Sequence, residues 1–139
     1  MKPIGYWLNR TDSAITRYMD DMLDDFGLTR VVWQVLNSIK DETSDTELFS
    51  LLQANADVQT LQAAIDTTLA NHWATRPSPD RLSLTPNGRA HLAQVAEHVD
   101  AFRERSMAGI SQADYRTTIS VLERMTHNLE SEAPNKPAP

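Results

Sequence analysis

Apolar residues recur every three to four positions through most of this chain, and the interruptions fall where turns belong. Leu8, Ile15, Tyr18, Met22 and Phe26 set the first stripe, with Trp7, Met19 and Leu23 widening it. That spacing predicts a helix from about Pro3 to Phe26, ended by Gly27 in the left-handed conformation. A stripe this wide predicts two buried faces, one toward the helix's own fold and one toward a partner. Thr29 opens a second helix carrying Val32, Trp33, Leu36 and Ile39. Ser44-Asp45-Thr46-Glu47 is a capping box, in which Ser44 and Glu47 satisfy each other's backbone donors. It starts a short third helix with Leu48, Phe49, Leu51 and Leu52. After Gln53 to Ala56, a fourth helix places Val58, Leu61, Ile65 and Leu69 on one stripe.

The period then changes. Trp73 to Leu84 reads as a hairpin with Arg76-Pro77-Ser78-Pro79-Asp80-Arg81 at its tip. Leu82 and Leu84 share one strand face and Ser83 takes the other. The strand stops at Thr85, whose hydroxyl can accept a first-turn N–H, and Pro86 suits the first position of a helix. This fifth helix carries Leu92, Val95, Val99 and Phe102 and ends before Gly109. Ser111 to Asp114 caps a sixth, with Tyr115, Ile119, Leu122, Met125 and Leu129. Residues 130–139 hold three prolines and little to bury, which predicts a disordered tail. Three helices, a recognition-type helix, a hairpin and two closing helices describe a mainly α, six-helix winged helix-turn-helix. The expected organisation is one domain over 1–129.

Charge changes the picture more than composition does. The 139 residues carry a net charge of −6, which argues against binding nucleic acid through bulk positive charge. Between Lys40 and Arg76 there is no lysine or arginine, while Asp41, Glu42, Asp45, Glu47, Asp57 and Asp66 all fall there. The chain has no cysteine, so disulfides and thiolate metal sites are excluded. No apolar run approaches a membrane span and no signal-peptide pattern opens the chain, so a cytoplasmic location with no membrane partner is expected.

Leu82-Ser83-Leu84-Thr85-Pro86-Asn87-Gly88-Arg89 resembles the "LTxxGR" stretch of the MarR family of bacterial regulators. Gly27-Leu28-Thr29 followed by Trp33, Val35 and Leu36 resembles the family's start of helix two. Ile110-Ser111-Gln112-Ala113-Asp114, with Leu122-Glu123, resembles its last helix. Gln59 to Leu69 lies without gaps on the family's "STVTRLVDRLE". The resemblance covers nearly the whole chain. It implies a MarR-like homodimer built from the first and last helices (about 3–26 and 86–129). The DNA-reading lobe would occupy about 29–85. It further implies a DNA-binding transcription regulator on a palindromic operator, controlled in many members by a small aromatic or phenolic effector.

The family pattern is not followed everywhere. Ala63 and Thr67 stand where the family commonly places arginines in its recognition helix, and the hairpin is shorter than the usual wing. His72 replaces the customary glycine after that helix. Asp66 matches an aspartate of the pattern, which implies a structural pairing with a wing arginine.

The expected DNA-facing set is Arg30, Gln59, Thr60, Gln62, Ala63, Thr67, Arg76 and Arg81. Gln59 and Gln62 can form bidentate contacts with adenine edges, Thr60 can bond a base or phosphate, and the helix start attracts phosphate. The competing reading makes Gln59, Thr60 and Gln62 a solvated face. Tyr6, Trp7, Tyr18 and Trp33 are the candidate effector pocket, although aromatics at helical spacing more often belong to a core. His91 and His98 lie two turns apart, but no third ligand joins them at metal spacing, and His72 and His127 stand alone. The acidic pairs Asp20-Asp21 and Asp24-Asp25 lack a calcium-loop pattern and read as solvated. No cofactor motif or nucleophile–base pattern occurs, so an enzyme is not expected. The alternative to a DNA-binding regulator is a winged-helix dimer that has lost direct DNA binding and serves as a ligand-binding or protein-interaction module.

Overall fold

The computed structural model describes residues 1–39 and 41–131. Its order is α1 (Ile4–Asp25), α2 (Arg30–Ser38), β1 (Thr43–Ser44), α3 (Asp45–Leu52), α4 (Val58–Ala70), β2 (Ala74–Thr75), β3 (Arg81–Leu84), α5 (Pro86–Ser106) and α6 (Gln112–Ser131). The chain divides into two compact units, Met1–Asp100 and Ala101–Pro139.

In the first unit, helix ends are set by the residues the sequence marks. Gly27 sits at φ 71° after α1. Gly27 N–H donates to Asp24 O and Leu28 N–H to Leu23 O, both at 3.0 Å, so two orphan carbonyls are satisfied. Leu23 and Leu28 are both buried, closing the hydrophobic side of that motif. The Thr29 hydroxyl accepts from Val32 N–H, and Ser44 and Glu47 form the full capping box. The Thr85 hydroxyl accepts from Gly88 N–H at 2.9 Å and donates to His72 O at 2.6 Å. One side chain thus caps α5 and ties it to the end of α4.

That end of α4 closes the same way as α1, but with a side chain in the glycine position. His72 stands at φ 59°, its N–H donating to Leu69 O, while Trp73 N–H reaches Thr68 O at 3.0 Å. A left-handed non-glycine residue carries about 1 kcal/mol of strain. Glycine would relieve it but enlarge the unfolded ensemble. His72→Gly is therefore expected to stabilise the fold by roughly 0.5 kcal/mol, measured by urea denaturation. A loss of stability in that variant would mean that the imidazole contributes more than its backbone costs.

The core of this unit draws on α1, α2, α3, α4, the hairpin and α5. Leu23, Val35, Leu36, Leu48, Leu61, Ile65, Leu82 and Val95 are almost wholly enclosed, each contributing on the order of 2 kcal/mol of apolar burial. The buried Thr68 hydroxyl donates to Ile65 O, so it costs little. The inward stripe of α4 is Leu61, Ala64, Ile65 and Thr68. Val58, expected on that stripe, is 63% exposed because it belongs to the opening turn.

The sheet has three strands in the order β1-β3-β2, all antiparallel. Ala74 pairs with Leu84 and Thr75 with Ser83, as a hairpin requires. The added strand, β1, pairs Thr43 with Leu82 and Ser44 with Arg81. Leu82 is thereby sealed in the middle strand. In the second unit α6 buries no residue within the chain, and Glu130 and Ser131, expected in the tail, close that helix. Residues 132–139, where the rest of the expected tail falls, lie outside the described residues. Among the described residues no helix is long and apolar enough to cross a membrane.

Candidate nucleic-acid interface

α4 is the element on which base reading would depend, and its two sides differ. Leu61, Ala64, Ile65 and Thr68 pack inward, while Gln59, Thr60 and Ala63 are exposed and Gln62 and Thr67 are half-buried. Not all of these side chains are idle. Gln62 donates to Asp66 Oδ1 at 3.3 Å, and the Thr67 hydroxyl donates to Ala63 O at 3.0 Å. Gln59 and Thr60 form an outward polar edge at the helix start, and the Ala63 methyl is exposed a turn later.

The start of α4 differs from the phosphate-attracting terminus expected from sequence. Asp57 is its N-cap, and the carboxylate accepts from Thr60 N–H at 2.8 Å. Hydrogen bonds from the Thr60 amide and then from its side chain hold the Asp57 carboxyl below the usual carboxylate range. The positive end of the helix dipole is therefore already matched by a fixed negative charge. A lowered folded-state value means that the cap stabilises above the unfolded carboxylate range and loses its effect as pH falls through the folded value. Asp57→Ala is expected to unfold more readily at neutral pH, with the gap to the parent narrowing under acid. A gap independent of pH in denaturation curves would assign the cap no role in the ionised form.

The three candidate arginines are all paired with carboxylates. Arg76 holds Asp45 through two contacts, Nη1 to Oδ1 and Nη2 to Oδ2, each 3.0 Å. Its Nη1 also donates to Pro79 O at 3.1 Å. Asp45 raises the Arg76 guanidinium above its ordinary value, chiefly through this hydrogen-bonded pair. Asp45 N–H donates to Asp80 O at 3.1 Å, so the hairpin tip is stitched to the first residue of α3. The wing arginine thus pairs with Asp45, whereas Asp66, the expected partner, bonds Gln62. Arg81 approaches Glu42 and Arg30 approaches Asp20, each at 3.9 Å and well exposed. Such pairs are weak and screened by salt. Their carboxylates still offset the local positive charge of Arg81 and Arg30. From Gly27 to Thr85 the sequence has four basic residues against seven acidic ones.

The four aromatic candidates are not brought into one pocket. Tyr6 and Trp7 meet edge to face with centroids 5.0 Å apart, and Arg10 donates to the Tyr6 hydroxyl at 2.7 Å. Tyr18 lies twelve residues further along α1, about 18 Å away by helical rise. Trp33 is half-buried on α2. The histidines form a different cluster. His91 stacks on Trp73 with centroids 4.8 Å apart and its Nε2 lies 2.8 Å from Phe26 O. His98 meets the Phe26 ring edge to face at 4.9 Å. They tie the end of α1 to α5 and the hairpin base. Among the described residues no group of three histidine or acidic side chains could hold a metal ion.

Sequence reasoning missed the roles of Asp45, Glu42 and Asp57. Only Asp57 had a local signal, an aspartate just before the first helical residue of α4.

Comparison with solved structures places this geometry in a known class. A Listeria innocua protein of unknown function is 24% identical, covering 91% of this chain and 93% of that one, at a TM-score of 0.74. The reduced form of MarR from Escherichia coli is 20% identical, covering 90% and 94%, at 0.71. A Mycobacterium tuberculosis MarR family protein in complex with DNA is 24% identical, covering 90% and 98%, at 0.70. At the level of sequence no family model matches, and no curated protein does. The fold is the MarR-type winged helix.

Proposed function

We propose that this chain is a MarR-like DNA-binding transcription regulator that acts as a homodimer on a palindromic operator. The observation that carries the reading is the two-sided α4. It buries Leu61, Ala64, Ile65 and Thr68 while leaving Gln59, Thr60 and Ala63 outward, in a fold that one solved neighbour uses in complex with DNA. Dimerisation is supported by apolar surface that the single chain leaves open. On α1, Ile4, Trp7, Leu8 and Ile15 are exposed; on α6, Tyr115, Ile119 and Leu129 are. Soluble chains seldom leave that much apolar surface uncovered on helices. Ligand control would act through half-site spacing: a ligand favouring one separation of the two α4 helices lowers the population able to span both half-sites.

The electrostatics of the lobe make the expected binding unusual. Direct base contacts would supply selectivity, while phosphate neutralisation supplies little, since Arg30, Arg76 and Arg81 already face carboxylates. A salt titration of binding to the promoter region beside the chain's own gene tests this. The expected slope of log K against log salt is no steeper than about −4 for the dimer. Proteins with six to ten phosphate contacts give roughly −5 to −9. Absence of binding at low salt, with an intact dimer in solution, would overturn the regulator reading. That outcome would favour the second reading, a winged-helix dimer without direct DNA binding, which the same three ion pairs support.

A further inference from the structure

Between α3 and α4 lies a groove of about 340 Å³. One wall is a helical stripe of α3 and its cap, Thr46, Phe49, Ser50 and Gln53. The other is the start of α4, with Asp57, Val58 and Leu61. Leu61 forms a buried floor, Phe49 is half-buried, and Val58 is largely exposed, so the groove has an apolar lining open to solvent. Asp57 is the charged group in that lining. One of its oxygens is engaged by Thr60 N–H, and the carboxylate as a whole is exposed. No cation balances it nearby in sequence: lysine and arginine are absent from Asp41 to Thr75. After that stretch, Arg76 is held by Asp45, and Arg81 approaches Glu42 at 3.9 Å.

Pockets that bind small molecules combine an apolar lining with a few placed polar groups, and about 300 Å³ is the lower end of their size. The charge of this one selects the ligand. An anion entering it would meet a carboxylate in a lining that holds no lysine or arginine, whereas an ammonium would be matched.

We infer that the α3–α4 groove is a binding site for a small amphipathic monocation, with its apolar body against Phe49, Val58 and Leu61 and its ammonium at Asp57. The inference concerns this groove alone and stands whether or not α4 reads DNA. Hydrogen bonds from Thr60 favour the ionised form of Asp57. The site therefore stays complementary to a cation throughout the neutral range.

The test is a matched pair of probes, phenethylammonium and 3-phenylpropionate, titrated without DNA into the isotopically labelled full chain and followed by amide NMR shifts. The expected result is saturable shifts confined to residues 46–61 with the ammonium and none with the carboxylate. Asp57→Asn keeps a good N-cap while removing the charge, and is expected to weaken the ammonium by about tenfold, with an unchanged overall spectrum. Equal response to both probes would overturn the inference, as would unchanged affinity in Asp57→Asn. So would shifts centred instead on α1, at the shallow furrow lined by Asp12, Arg17, Asp20 and Asp21, or no saturable shift at all.

Discussion

Replacing Gly88 by alanine is expected to cost about 3 kcal/mol and to lower the melting temperature by roughly 10 °C. Gly88 is buried in the first turn of α5, directly over the base of the hairpin. A Cβ there would stand 2.0 Å from Trp73 O, 2.9 Å from Trp73 C and 3.2 Å from Trp73 Cα. These are backbone atoms, so no side chain can swing aside. The same Trp73 carbonyl accepts Thr85 N–H at 3.0 Å, and Thr85 in turn caps α5 at Gly88. Moving either partner breaks the joint between α4, the hairpin and α5. Gly5 supplies the control: a Cβ added there meets nothing within 4 Å. Gly5→Ala lies inside α1 and is expected to stabilise by roughly 0.5 kcal/mol. Urea denaturation of the two variants checks the pair, and a Gly88→Ala protein as stable as its parent would refute the close approach.

Gly88 also illustrates what a sequence makes legible. The run from Leu82 to Arg89 combines strand, cap and helix start within eight residues, and the structure realises each of them. The same holds for Gly27, Thr29, Ser44 with Glu47, and Ser111, whose hydroxyl accepts from Asp114 N–H at 3.0 Å. Each device is complete within one turn of chain, so the residue type alone specifies it. Features that join distant segments were not legible. Strand β1 is two residues long, and its only signature is its partner, Arg81 and Leu82. Position on a helix also matters: Val58 continues the apolar period of α4, yet the first turn overhangs the core.

The candidate interface was legible as a deficit. Six acidic residues and no basic ones between Lys40 and Arg76 showed that phosphate contacts would be scarce. What the remaining arginines do instead depends on pairings that span the fold, such as Arg76 with Asp45, 31 positions apart. Likewise His91, isolated in sequence, finds its partner in Phe26 O, 65 positions away. The sequence located the candidate side chains; the tertiary structure determines which of them have their charge already matched.

Arg76 is where that distinction has its largest expected effect. A wing arginine that contacts DNA and one that holds the wing in place look alike in sequence but respond oppositely to mutation. The Arg76 and Asp45 side chains are only 25% and 23% exposed, and the pair is bidentate. Its worth therefore exceeds that of an ordinary surface pair. Arg76→Met is expected to lose about 2 kcal/mol of stability, because it leaves the Asp45 carboxylate partly buried without its cation. Lysine cannot restore the two-pronged contact, so Arg76→Lys should recover less than half of that loss. The discriminating measurement is the salt dependence of DNA binding by Arg76→Met, taken at a temperature where the variant stays folded. A structural arginine leaves the slope of log K against log salt unchanged, because its charge is already matched by Asp45. A phosphate-contacting arginine would make the slope shallower by about one contact per bound chain. An unchanged slope with reduced stability therefore assigns Arg76 to the scaffold. A reduced slope with intact stability would return it to the DNA-facing set.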